Sequence, residues 1–232
     1  MSSASTCRLV HEEKRIVLHI EGLDVAIGPV GILRHVDMAL TPGKFTGLVG
    51  RNGAGKTTLM RSIMGILKPR NGSIHLEGKT LDQLPTHLRA RSGMGYMPED
   101  RRLVPDLTVE ENVLMPAWAS GAVDPAARLA KVYEMIPEVQ AFAARKAMQL
   151  SGGQQKLAAL ARALMCGTKV LLLDEPFEGV APVLARRLAD VIADLKQDGL
   201  SILLTESDLS HSRELLDALF TIDRGEVAPA RL

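Results

Sequence analysis

The sequence predicts an α/β fold with a mostly parallel sheet that is covered by helices on both faces. Short, continuous apolar runs, which are typical of buried parallel strands, alternate with segments of helical spacing. Such runs occur at 45–49, 170–173 and 201–204. Between about 108 and 150 they are replaced by alanine-rich helical stretches. We therefore expect a helical subdomain inserted into the α/β core.

Turn residues and apolar patterns define the elements of the first half of the chain. The elements expected are strands at 16–27, 33–40 and 45–50, a helix at 57–67, a strand that ends at Gly78 and a short strand at 95–97. The pair Asn71 and Gly72 is expected to form a turn just before the strand that ends at Gly78.

The second half continues the alternation of helices and strands. Asp124 and Pro125 form a favourable N-cap and first-turn pair for a helix of the subdomain. The later elements expected are a helix from Ser151, a strand at 170–173, a helix from Pro182 that stops at Gly199, a strand at 200–204, another helix, and two short strands within 219–227. Apolar residues at helical spacing support the helix from Pro182.

The composition is that of an ordinary globular protein and excludes several classes. The chain has 232 residues, a net charge of +1 and only 3% aromatic residues, so neither bulk nucleic-acid binding nor a base-stacking surface is indicated. No segment approaches the ~20 apolar residues of a membrane span, and the start lacks a signal-peptide core. We expect a soluble chain.

Cys7 and Cys166 match no metal or disulfide spacing and are expected to be free thiols in a reducing compartment.

The segment GRNGAGKT fits the phosphate-loop pattern G-x-x-x-x-G-K-[ST] and lies between a predicted strand and a predicted helix. Its glycines let backbone N–H groups face phosphate oxygens, and the helix adds its positive end. Lys56 is expected to contact the outer phosphates, and the Thr57 hydroxyl is expected to bind Mg²⁺. The nucleotide-contacting residues expected here are Gly50, Asn52, Gly53, Ala54, Gly55, Lys56, Thr57 and Thr58.

The run KVLLLDE ends in two acids at the carboxyl end of a predicted central strand, where ligands bind in parallel sheets. Asp174 is expected to hold the metal directly or through water, and Glu175 to orient or activate an attacking water. Two acids at a strand end would also suit a helix cap. The neighbouring phosphate loop favours the catalytic interpretation.

A second anion-binding helix end is predicted at LSGGQQK, 150–156. Ser151 is a natural N-cap, and Gly152 and Gly153 expose backbone N–H groups in the first turn. Together with Gln154 they are expected to contact phosphates. Two phosphate-binding helix ends in one chain suggest that each end serves a different nucleotide.

These three motifs, in this order, resemble the nucleotide-binding subunit of an ATP-binding cassette (ABC) transporter. The resemblance covers about 16–227, and LSGGQ beside a phosphate loop is highly specific for that superfamily. It implies an ABC-type P-loop domain with an N-terminal antiparallel β part, a core of about 10–98 and 151–232, and a helical subdomain of about 99–150. It also implies a head-to-tail dimer, in which the phosphate loop of one subunit and the LSGGQ segment of the other enclose one ATP with Mg²⁺.

A narrower resemblance is to the ATPases of branched-chain amino acid importers, carried by GYMPEDRRLVPDLTVEENV and DEPFEGVAP. In that subgroup a glutamate replaces the usual glutamine, and Glu99 fits; the implied role is to sense the metal and γ-phosphate. The implied partners are a second ATPase subunit (a heterodimer is favoured and a homodimer is possible), transmembrane permease subunits, and indirectly an extracytoplasmic solute-binding protein. The implied location is the cytoplasmic face of the cell membrane.

Two positions depart from the family pattern. Ser207 stands where most cassettes have a histidine that contacts the γ-phosphate, and a hydroxyl donates one hydrogen bond but carries no charge. Ile27 stands where an aromatic residue usually stacks on adenine. We therefore expect a competent but weakened site, with an ATP-binding regulatory cassette of little or no hydrolysis as the alternative. The interval from Gly55 to Ser151 is too short for the coiled coils of DNA-repair relatives.

Overall fold

The computed structural model describes residues 16–121 and 124–232. Cys7 and the predicted start of the core near residue 10 lie outside these residues. The strands are β1 Leu18–Ile27, β2 Val30–Leu40, β3 Phe45–Val49, β4 Asn71–Leu76, β5 Lys79–Thr80, β6 Met94–Met97, β7 Val170–Asp174, β8 Ser201–Glu206, β9 Ala218–Asp223 and β10 Glu226–Ala230. The α-helices are α1 Lys56–Ile63, α2 Thr86–Arg91, α3 Val109–Ser120, α4 Pro125–Met135, α5 Pro137–Ala141, α6 Gly152–Leu164 and α7 Pro182–Asp194.

The central sheet has the strand order β10-β9-β3-β8-β7-β6. All of its pairs are parallel except β10 with β9. Every residue of β7 and β8 is buried, as a sheet covered on both faces requires. The prediction of a mostly parallel sheet is confirmed. The register pairs Val49 with Glu206 and Asp174 with Thr205, so β3, β7 and β8 end together.

A second, antiparallel sheet has the order β2-β1-β4-β5. Its buried face and α1 form one hydrophobic core with one face of the central sheet. The helices α3, α6 and α7 contribute to the other core, which covers the opposite face. This layering places α1, and the loop that precedes it, between the two sheets. Cys166 is a buried free thiol.

The helices α3, α4 and α5 lie within the interval predicted to be helical. Thr108 and Glu111 form a capping box at the start of α3, in which the Glu111 N–H donates to Thr108 Oγ1 at 3.2 Å and the Thr108 N–H donates to Glu111 Oε2 at 2.7 Å. The predicted N-cap at Asp124 is confirmed, since its carboxylate accepts from the Ala127 N–H at 3.0 Å.

The helix predicted at 57–67 is shorter than expected and ends at Ile63. The Arg89 guanidinium of α2 donates to the carbonyls of Ser62 at 3.1 Å and Ile63 at 2.7 Å, so it satisfies groups that a longer helix would use. Gly65 follows with φ +72°, outside the helical region. Sequence periodicity does not reveal a cap that comes from another helix.

The turn predicted at Asn71 and Gly72 is wrong, because both residues belong to β4. Gly72 has φ +84°, and an added Cβ would lie 2.5 Å from the Glu21 carbonyl oxygen of β1. The β1–β4 register also shifts between Glu21 and Asp24. Gly72 therefore marks a close approach at a strand irregularity, a role that glycine shares with turns.

The helix predicted after β8 is also wrong, since only a short 3₁₀ turn forms there, at Arg213–Leu215. Side chains of the segment bond locally instead. Ser212 Oγ donates to the Glu206 carboxylate, and the Ser210 N–H donates to Asp208 Oδ1 at 2.8 Å. Such side-chain bonds compete with helical hydrogen bonding.

Candidate nucleotide-binding site

The phosphate loop occupies the tight space between the end of β3 and the start of α1. Gly53 and Gly55 have φ values of +82° and +117°, which glycine adopts without strain. An added Cβ at Gly50 would overlap the Ile222 carbonyl oxygen, and one at Gly55 would lie 2.9 Å from Leu33 Cδ2. The loop therefore needs its glycines for close packing as well as for backbone conformation.

The loop lines an open cleft of about 460 Å³. The lining residues are Ile32, Arg51, Asn52, Gly53, Gly55, Lys56, Thr57, Thr58, Glu99 and Glu175. The cleft thus brings together the predicted phosphate-loop residues Lys56 and Thr57 with Glu99 and Glu175. Gly50 and the buried Ala54 are not among its lining residues; the Ala54 carbonyl accepts from the Gly225 N–H at 3.0 Å.

Lys56 is only 4% exposed and lies at the centre of a hydrogen-bond network. Its Nζ donates to the carbonyls of Gly50 and of Arg51, the latter at 3.2 Å. It also lies 3.0 Å from Glu175 Oε1 and 3.4 Å from Ser207 Oγ. A phosphate in the cleft would compete with these oxygens for the ammonium group.

Asp174 is held by three hydroxyl groups. Thr57 Oγ1 donates to its Oδ1 at 3.3 Å, Thr205 Oγ1 donates to the same oxygen at 2.8 Å, and Tyr96 Oη donates to Oδ2 at 3.1 Å. Burial raises the pKa of Asp174, while these hydrogen bonds act in the opposite direction. The carboxylate is therefore fixed in one orientation toward Thr57.

The donor set fits Mg²⁺. The Thr57 hydroxyl and the Asp174 carboxylate are hard oxygen donors held side by side, and Mg²⁺ binds through one or two such groups while keeping waters and substrate phosphates as its other ligands. Within 16–121 and 124–232 no group of three or more His, Cys, Asp or Glu side chains is arranged to hold a metal.

Glu175 has a left-handed backbone with φ +48°, which is uncommon for a residue other than glycine. Its N–H donates to the carbonyl and to Oγ1 of Thr205, at 3.2 and 3.1 Å. Its carbonyl accepts from Lys156 Nζ at 2.9 Å. These bonds hold both flanking peptide groups, so the carboxylate projects into the cleft from a fixed backbone.

Ser207 lies between the phosphate loop and Glu175. Its Oγ is 2.9 Å from Asn52 Oδ1 and 3.2 Å from each carboxylate oxygen of Glu175. Because the hydroxyl has a single proton, it donates to only one of these oxygens at a time and can accept from Lys56. The serine therefore connects Asn52 of the phosphate loop, Lys56 and Glu175.

Glu99 and Ile27 differ in how they relate to the cleft. Glu99 lines it, and its pKa is raised by burial first and then by the charges of Glu175 and Asp174. Ile27 ends β1, is 52% exposed and is not among the lining residues. Ile32, on the neighbouring strand β2, lines the cleft instead, and no sequence signal singled it out.

The LSGGQ segment forms the N-terminus of α6, as predicted. Ser151 Oγ accepts from the Gln154 N–H at 3.3 Å, and Gln154 Oε1 accepts from the Ser151 N–H at 3.0 Å. Ser151 and Gly152 are exposed. An added Cβ at Gly153 would lie 2.7 Å from Leu184 Cδ2 of α7. None of these residues lines the phosphate-loop cleft of the same chain.

The sequence analysis did not predict three residues that contact the acids of the site. Tyr96 and Thr205 contact Asp174, and Lys156 contacts Glu175. Thr205 carried a weak signal, because it follows a buried apolar run at the edge where β8 ends. Lys156 belongs to the LSGGQQK stretch. The spacing of apolar residues in that stretch does not indicate that this lysine is buried. Tyr96 reaches Asp174 only because β6 pairs with β7.

Comparison with known proteins gives the same family as the motifs of the nucleotide-binding site. The model of the ABC transporter family matches residues 33–178. The chain belongs to the ABC transporter family. It is 32% identical over 211 residues to the high-affinity branched-chain amino acid transport ATP-binding protein BraG of Pseudomonas aeruginosa, with 91% of each chain covered. It is also 30% identical over 213 residues to the lipopolysaccharide export system ATP-binding protein LptB of Haemophilus influenzae, covering 91% of this chain and 88% of LptB.

A solved structure supports the same assignment. The crystal structure of a nucleotide-free ATP-binding cassette from an ABC transporter superposes with a TM-score of 0.81 at 28% identity, covering 93% of this chain and 91% of that one. As an ABC cassette the chain is an ATP-binding ATPase, and such ATPases dimerise and work with transmembrane permease subunits. In the part of the chain that the structure describes, no helix has the length and hydropathy to cross a membrane.

Proposed function

We propose that this cassette powers the import of a small organic solute, such as a branched-chain amino acid or a related compound. The observation that carries the proposal is Glu99, which stands within YMPEDRR and lines the nucleotide cleft. The similarity to BraG supports the same direction. The similarity to LptB has nearly the same extent, so lipopolysaccharide export is the competing function.

The proposed reaction is attack of water on the γ-phosphorus of ATP, in line with the bond to ADP. Lys56 and the loop amides hold the phosphates, while Thr57 and Asp174 would hold Mg²⁺, which neutralises charge on the phosphate oxygens. Glu175 accepts a hydrogen bond from the attacking water and takes its proton as the new P–O bond forms and the bond to ADP breaks. The products are ADP and inorganic phosphate.

A second cassette subunit is proposed to complete each site. Ser151 and Gly152 are exposed, Gly153 and Gln154 are half-buried, and none of the four lines the cleft of its own chain. A helix end of this kind binds anions. In the proposed head-to-tail dimer, this end closes the ATP site of the other subunit. A heterodimer is favoured by the subgroup resemblance, and a homodimer is the alternative.

The segment that follows Glu99 is the proposed docking surface for the permease, at the cytoplasmic face of the membrane. The buried Asn112 holds this segment, since its Oδ1 accepts from the Val104 N–H at 2.7 Å and its Nδ2 donates to the Val104 carbonyl at 3.1 Å. The Met148 N–H donates to the Pro105 carbonyl at 3.1 Å. Val104 and Met148 are exposed apolar side chains at this segment, which supports the proposed docking role.

Deletion of the gene is expected to abolish uptake of one small solute without affecting surface lipopolysaccharide. Uptake of labelled branched-chain amino acids, urea, short amides and aromatic acids would be measured in the deletion strain. Complementation by the wild-type gene should restore uptake, and complementation by Lys56→Ala should not. Normal uptake of every solute together with loss of surface lipopolysaccharide would establish export instead.

Ser207→His is expected to raise ATP turnover of the assembled transporter by about fivefold. A protonated imidazole makes a charge-assisted hydrogen bond to phosphate, which is stronger by about 1 kcal/mol than that of a hydroxyl. Ser207 is exposed, so the larger ring has room. Phosphate release at saturating ATP would measure the effect, with Ser207→Ala as the control that lowers turnover. Unchanged turnover in the histidine variant would show that the serine does not weaken the site.

The alternative function is a regulatory cassette that binds ATP with little hydrolysis. The observation that favours it is the pair of departures at Ser207 and Ile27, the second of which lies outside the cleft lining. Stoichiometric ATP binding with no turnover in any assembly, including that of Ser207→His, would support this alternative.

A further inference from the structure

Lys156 is a buried cation that the proposed reaction does not use. It lies in the second turn of α6, just after the LSGGQ segment, and is 1% exposed. Its Nζ donates to the main-chain carbonyl of Glu175 at 2.9 Å. A lysine is almost never buried without a specific partner, and here the partner is the backbone of the residue that would orient the attacking water.

The backbone of Glu175 needs such a partner. A left-handed φ costs a residue with a Cβ about 1–2 kcal/mol and persists only where the surroundings impose it. Thr205 holds the N–H side through two acceptors, and Lys156 holds the C=O side. Because φ and ψ of Glu175 set the direction of its Cα–Cβ bond, anchoring the two flanking peptide groups fixes the carboxylate beside Lys56 and Ser207.

Lys156 stays mostly charged at neutral pH although its surroundings lower its pKa. Burial and then the charge of Arg101 lower its pKa to about 8, while Glu99, Glu178 and Glu175 act in the opposite direction. The ammonium group is therefore mostly protonated at neutral pH, and its hydrogen bond to the carbonyl is charge-assisted.

We propose that Lys156 is a positioning residue that sets the backbone of Glu175 and connects it to the LSGGQ end of α6. The inference rests on the proposed hydrolysis mechanism. Since the first turn of α6 would contact the ATP held by the other subunit, displacement of that turn reaches Glu175 through a single hydrogen bond. Nucleotide capture at one site would then adjust the carboxylate of the other.

The test replaces Lys156 by Met, which keeps the length of the side chain and removes the donor. We expect kcat to fall at least tenfold while the KM for ATP changes less than twofold, because the phosphate contacts are intact. Lys156→Arg, which restores a charged donor, should recover part of kcat. The matched control is Arg128→Met. The Arg128 guanidinium also donates to main-chain carbonyls, those of Leu164 and Gly167 near the far end of α6, and its loss should leave kcat per folded chain unchanged.

The same substitutions in a Glu175→Gln background separate positioning from a general structural effect. If Lys156 acts through the carboxylate, Lys156→Met lowers residual single-turnover hydrolysis less than twofold further. Should the Met variant not fold, Lys156→Arg in both backgrounds gives the same comparison. Two results would overturn the positioning role and leave the proposed mechanism standing. One is a wild-type kcat in a folded Lys156→Met chain. The other is a loss of hydrolysis rate from Lys156→Met that is as large in the Glu175→Gln background as in the wild type. A wild-type protein without Glu175-dependent turnover would overturn the proposed mechanism as well.

Discussion

Glu175→Gln is expected to lower ATP turnover by roughly 10²- to 10⁴-fold, the usual contribution of a general base. The amide keeps the size of the side chain but cannot accept the proton of the attacking water. ATP binding should remain, because Lys56, Thr57 and the loop amides are unchanged. Steady-state phosphate release and equilibrium binding of ATP would measure the two effects in the same preparation.

The matched control for this variant is Glu134→Gln, an exposed carboxylate of α4 outside the cleft. Its turnover should equal that of the wild type. If the purified chain forms a homodimer, turnover per chain will rise with protein concentration, and if it needs a different partner, turnover will appear only when that partner is added. Full turnover in the Glu175→Gln variant would show that another group activates the water.

Gly225→Ala is expected to destabilise the protein by several kcal/mol, about 1–2 from backbone strain and roughly 1–3 more from overlap. Gly225 has φ +85° in the turn between β9 and β10, and an added Cβ would overlap the Ile32 carbonyl oxygen. Its N–H donates to the Ala54 carbonyl of the phosphate loop at 3.0 Å, and its carbonyl accepts from the Arg34 N–H at 2.9 Å. Urea denaturation would measure the lost free energy of unfolding.

Gly78→Ala is the matched control for this prediction. Gly78 has φ +76° in the turn between β4 and β5, preceded by Glu77 with φ +49°, just as Arg224 precedes Gly225 with φ +47°. No atom lies within 4 Å of an added Cβ at Gly78. This variant should therefore lose only the strain energy. Equal losses in the two variants would contradict the steric explanation, and ATP affinity should fall in Gly225→Ala alone.

The sequence determined the family and the local chemistry of the site, because these depend on short segments. The phosphate loop, the apolar run ending in Asp174 and Glu175, and the LSGGQ helix start are each specified within a few neighbouring residues. Alternation of apolar runs with helical segments was likewise enough to predict a mostly parallel sheet. The family resemblance placed Ser207 at the γ-phosphate end of the site, and β3, β7 and β8, which end together, bring it within 3.4 Å of Lys56.

Only the tertiary structure decided which distant side chains hold these groups in place. Tyr96 reaches Asp174 through the pairing of β6 with β7, and Lys156 reaches Glu175 because α6 packs on the central sheet. The early end of α1 depends in the same way on Arg89, which lies 26 residues beyond Ile63. Each is a contact between segments far apart in sequence, and local patterns carry no information about a partner that packing alone selects.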